Sequence, residues 1–180
     1  MKQSKLIALS AISAAFAVVL LALGAFIEVI DISCVMLAGL AIMLPLAKKS
    51  YIGAFLSYAA SALLALILTS ARFTVIVPYA MFFGLHPIAN ALQEKYKINR
   101  IVAVIVKDVW FLLSMFVYYK LLVALSGYDL FADFAMIPDS FKPFLAPALF
   151  VFGGIFFVFY DMVMVRMQRL VDYVVYKLKF

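Results

Sequence analysis

Two groups of polar residues in this chain are able to do chemistry, and both sit in or beside long apolar runs. The first is a set of ionisable side chains inside those runs. Counting about 1.5 Å per helical residue, Lys107 lies about 10 Å from Arg100, His86 about 10 Å from Gln93, and Asp161 about 8 Å from Arg166. Three different segments therefore offer charges at one depth, with Asp108 and Asn90 nearby. Charge at such depth costs on the order of 2.5–3.5 kcal/mol on insertion scales, so pairing is expected. A Lys107–Asp161 pair with His86 as a hydrogen-bonding neighbour is one reading, and a switch or proton relay is the other. A relay would need to continue across the membrane, and above this layer only apolar residues and scattered Ser, Thr and Tyr are available.

The second group gathers where the apolar runs end: Glu28 and Asp31 in one short turn, Arg72 in another, and Tyr79 beyond Pro78. Acids, a guanidinium and an amphipathic phenol can wall a pocket between helix ends and orient a small solute. Tyrosine is also ordinary decoration at membrane interfaces, so binding and decoration both stay open. Catalytic constellations are poor. Glu28 and Asp31 lack a nucleophile or metal to work with, and no Gly-x4-Gly-Lys-Ser/Thr loop exists to hold ATP phosphates. One cysteine, Cys34, and one histidine leave nothing for an internal disulfide, a zinc cluster or a haem, and no cofactor is expected.

The segments that position these residues follow from composition. The 180 residues are 69% hydrophobic and 13% charged, whereas a soluble domain is about half apolar and one-quarter charged. The expected fold is all-α: one polytopic domain, residues 1–180, with six transmembrane helices in a compact bundle. The spans are about Lys5–Phe26, Ser33–Ala47, Tyr51–Ser70, Phe73–Leu92, Ile101–Leu125, and a sixth from near Pro143 that ends in a basic amphipathic tail. The second is short, so the turn EVIDIS is expected to continue it. The fourth contains Pro78, Gly84 and Pro87 and is not expected to be a straight helix. The first run is too long for a cleavable signal and is expected to remain.

With six spans both termini share one side. Eleven basic residues, from Lys2 and Lys5 to Lys177 and Lys179, then face the cytoplasm, against Arg72, Lys120 and Lys142 outside. Glu28, Asp31, Asp129, Asp133 and Asp139 cluster on the outer side. That bias predicts cytoplasmic termini and explains the net charge of +6 without nucleic acid.

Small residues form two stripes. Ser4, Ala8, Ala11, Ala15 and Ala22 fall within about a quarter of the first helix's circumference at 100° per residue. Gly53, Ser57 and Ser61 repeat every four residues in the third span. Lipid gives no reason to prefer alanine, so such a face packs on another helix backbone, either from this chain or from a separate membrane protein.

The basic residues followed by LIALSAISAAFAVVL resemble the first helix of substrate-capture subunits (S components) of energy-coupling factor vitamin transporters. In that family an Ala-x-x-x-Ala motif docks the subunit onto a transmembrane coupling protein. Ala11 and Ala15 stand at the matching positions, with Ala8 extending the stripe. The segments PYAMFFGLHPIANALQEK and YDMVMVRMQRL are similar to an uncharacterised branch of the group, and no signature for riboflavin, thiamine, biotin or folate is present. The resemblance implies a non-enzymatic subunit of a bacterial cytoplasmic membrane importer that captures a small vitamin-like solute outside. It would work with a coupling protein and ATPase subunits. A non-transporting scaffold that uses the same alanine face, and more distantly a lipid-modifying enzyme, are the competing readings.

Overall fold

Three places where the backbone ladder breaks determine much of this architecture. The computed structural model describes residues 2–70, 72–127 and 142–178, and all its regular elements there are helical. In order they are α1 (Lys2–Phe26), a 3₁₀ turn (Glu28–Ile30), α2 (Asp31–Ala41), α3 (Met43–Leu46), α4 (Tyr51–Leu68) and α5 (Phe73–Pro78). A π turn (Tyr79–Phe83), α6 (His86–Lys95), α7 (Arg100–Ser126) and α8 (Lys142–Lys177) complete the series. Grouped into continuous runs, these give six helical segments of 18 to 31 residues that are long and apolar enough to cross a membrane. The acidic turn does continue the second span, which runs Glu28–Leu46. The basic tail prolongs α8 to Lys177. Asp129, Asp133 and Asp139 lie outside the described residues.

In lipid each unpaired carbonyl costs several kcal/mol, so a broken helix needs donors from its neighbours. Pro45 has no N–H to give Ala41 O, and the Ser13 hydroxyl of α1 donates to that carbonyl at 2.7 Å. Pro78 likewise leaves Thr74 O, which accepts the Tyr118 hydroxyl of α7 at 3.2 Å. In the π turn Gly84 N reaches back to Tyr79 O at 2.9 Å, skipping Ala80 O. Tyr58 of α4 donates to Ala80 O at 2.6 Å. Hydroxyls from three different helices thus close the three gaps.

Packing is tightest where side chains are smallest. A Cβ on Gly53 would stand 2.5 Å from Ser10 Oγ of α1, and one on Gly39 would stand 2.7 Å from the Phe83 carbonyl of the π turn. Ser57 Oγ donates to Ser10 O at 2.8 Å, which joins α4 to α1. The centre is aromatic. Phe82 is fully buried, with its ring centroid 4.9 Å from Trp110, 5.0 Å from Phe111 and 5.9 Å from Phe157, so the π turn docks on α7 and α8. Outward-facing Ile, Leu, Val and Phe side chains are exposed along every long helix, as expected of surface presented to lipid.

Helix ends sort to two ends of the molecule. Lys95 Nζ lies 4.6 Å from the Tyr51 ring centroid, which sets the α6–α7 turn beside the start of α4. At the other end Arg72 reaches α1, and Tyr118 reaches α5.

Candidate functional site

At the acidic end, the chain turns through Glu28–Ile30 before α2, and Arg72 precedes α5. Arg72 Nη1 donates to Ala25 O at 2.7 Å and lies 3.9 Å from Glu28 Oε1, with the guanidinium 5.7 Å from the Phe26 ring centroid. It therefore caps the carbonyl end of α1, where a cation is favoured by the helix dipole. The Arg72 and Glu28 side chains are 47% and 88% exposed, so this ion pair is weak and open to exchange. Asp31 starts α2 and accepts from Ile32 N, and it makes no ion pair with Arg72 among the described residues.

Tyr79 corrects the expectation of a pocket wall at the helix ends. It is fully buried in the interior, its ring centroid 5.7 Å from Tyr58 and its hydroxyl 2.7 Å from Ser61 Oγ. The π turn that begins at Tyr79 carries its side chain inward, and a buried phenol needs the polar partner that Ser61 provides. The structure thus joins Glu28 to Arg72 and commits Tyr79 elsewhere.

The face of α1 divides cleanly. Leu9, Ser13, Ala17, Leu21 and Ala25 are buried against the rest of the chain. Ala8, Ala11 and Ala15 are exposed. Beside them a shallow apolar groove of about 520 Å³ runs between α1 and α4, lined by Leu6, Ala11, Ala14, Gly53, Leu56 and Ala60. By contrast Ser57 and Ser61 of the second stripe are buried.

The ionisable layer assembles as its depth implied. Lys107 Nζ lies 2.5 Å from Asp161 Oδ1 and 2.6 Å from Asn90 Oδ1, and His86 Nε2 lies 3.0 Å from the same Asp161 oxygen. His86, Lys107 and Asp161 are all buried. Asp161 is thus the hub: α6 and α7 each place one nitrogen on a single oxygen of α8. His86 also lies 4.9 Å from the Tyr160 ring, between centroids, so the cluster is sealed by aromatics on its deep side. His86 Nδ1 and the Tyr160 hydroxyl are buried without a partner, so among the described residues the hydrogen-bonded path stops there.

Sequence reasoning missed a polar cavity of about 420 Å³ that opens at the basic end between α6, α7 and α8 and reaches Asp161. Its lining also includes Glu94, Lys97, Arg100, Arg169 and Asp172. The clue available in the sequence is the polarity shared by QEKYKINR and VRMQRLVD, whose facing across the helices could not be read from spacing alone. No family model, curated protein or solved structure matches this chain.

Proposed function

We propose that this chain is a membrane-embedded substrate-binding subunit of an energy-coupling-factor-type importer, docked through α1 onto a transmembrane coupling protein. The supporting observation is the outward placement of Ala8, Ala11 and Ala15. Those alanines are exposed, and lipid supplies no reason for so flat a strip. The groove beside them offers a second wall for a helix from the partner. In this reading the bundle sits in the bacterial cytoplasmic membrane with both termini inside. ATPase subunits act through the coupling protein, and the open Glu28–Arg72 pair with Asp31 meets a small vitamin-like solute outside.

The test is co-purification. Wild-type chain should retain a membrane partner that an Ala11→Leu/Ala15→Leu double variant loses, while both proteins melt alike in detergent. Retention of the partner by the double variant would sink docking through this face.

Two observations favour a second reading, a non-transporting scaffold: Arg72 is engaged in capping α1, and Tyr79 is turned inward. Native mass spectrometry separates the two. A small molecule carried through purification supports capture, and a ligand-free chain held to a partner without ATPase subunits supports the scaffold.

A further inference from the structure

Two cavities meet at the basic end. The polar one, about 420 Å³, lies in the size range of small-molecule sites. The other, about 270 Å³, is an apolar groove between α7 and α8 lined by Ile101, Val104, Ile105, Val158 and Met162. Arg100 and Asp161 line both, so a charged cavity and a hydrocarbon groove adjoin at a shared wall. Ile101 and Ile105 are 71% and 57% exposed, which opens the apolar half sideways to lipid.

The charged half is unusual in its free valences. Lys97, Arg100 and Arg169 form no ion pair with any carboxylate among the described residues. Asn90 points its carbonyl at Lys107, which leaves its buried Nδ2 without an acceptor. Both contacts of Asp161 fall on Oδ1, so Oδ2 keeps its lone pairs for a guest. Glu94 and Asp172 bring the carboxylates in the lining to three, with Asp172 Oδ1 already accepting from the Gln168 amide at 2.7 Å. A purely basic cavity would select an anion, but this one presents both signs.

We propose that this site holds a zwitterionic phospholipid of the phosphatidylethanolamine type. The phosphate lies among Arg100, Arg169 and Lys97. The ammonium is directed to the carboxylates, and one acyl chain occupies the α7–α8 groove. Arginine favours bidentate phosphate contact, and basic pockets at the ends of membrane helices recruit lipid headgroups. The site is at the opposite end of the bundle from Glu28 and Arg72 and does not depend on the transport reading.

Purified full-length protein in detergent is titrated by native mass spectrometry with dioleoyl phosphatidylethanolamine, dioleoyl phosphatidylglycerol and glycerophosphoethanolamine, the headgroup without chains. Saturable binding of the first is expected, weakened about tenfold or more in Arg100→Gln/Arg169→Gln, as losing charged hydrogen bonds implies. Lys48→Gln/Lys49→Gln, on the same end but outside the site, should leave it unchanged. Val158→Trp should weaken the lipid by blocking the groove and should leave glycerophosphoethanolamine untouched. It carries the test by itself if the arginine variant melts early. Absence of saturable binding overturns the proposal, as does equal loss in the lysine variant. Glycerophosphoethanolamine binding as tightly as the lipid would mean a water-soluble ligand, and tighter phosphatidylglycerol would mean an anion site. Either result rejects the assignment.

Discussion

The two stripes of small residues have opposite fates. Gly53, Ser57 and Ser61 in α4 face inward: Ser57 bonds Ser10 O, Ser61 meets Tyr79, and Gly53 admits the α1 side chain of Ser10. Ala8, Ala11 and Ala15 in α1 face outward and are exposed. The difference lies in the hydroxyls. The buried serines of α4 reach across helices, Ser57 to the Ser10 carbonyl and Ser61 to the Tyr79 phenol, and so mark a seam within the chain. An alanine stripe carries no such demand and remains available to a partner.

The comparison can be broken or sharpened by substitution. The interior extreme is Asp161, where a buried cation depends on one carboxylate. Asp161→Ala should cost about 3–5 kcal/mol by stranding Lys107, and Lys107→Met/Asp161→Leu should recover much of it, since a buried pair contributes little over apolar contact. Melting in detergent reads both, and equal losses would show that the two residues are not partners. On the inward stripe, Gly53→Val should cost about 1–3 kcal/mol through overpacking against Ser10 and Ser50. Ser57→Ala should cost about 0.5–1.5 kcal/mol, the worth of a hydrogen bond whose carbonyl acceptor remains. On the outward stripe, Ala11→Leu/Ala15→Leu should stay within about 0.5 kcal/mol of wild type, as a surface change does. A large loss there would make the α1 face internal packing and erase the contrast.

Much of the plan was legible from residue types. The six segments, the continuation of the second through EVIDIS and the interruption of the fourth follow from hydropathy, length and proline. The Lys107–Asp161–His86 cluster was accessible because depth is a simple count from charged ends, and the cost of isolated charge forces pairing. Tyr79 was not legible. Its direction depends on a π turn, and nothing in YAMFF distinguishes five residues of π from five of α. Nor could spacing reveal that Ser13, Tyr58 and Tyr118 serve the freed carbonyls, because those partners come from other helices. The polar cavity was hidden for the same reason: its walls are 60 or more positions apart, between α6 and α8.

The π turn also acts as a residue counter. It fits one more residue into its span than an α-turn would, and each helical residue advances the chain by about 100°. Winding the same residues, Tyr79–Phe83, as regular α-helix would therefore swing all of α6 by roughly that angle. His86 and Asn90, which now face α7 and α8, would rotate off Lys107 and Asp161 together. The charged hub is thus indexed by the winding of a neighbouring turn, and a change there would cost Asp161 and Lys107 one partner each.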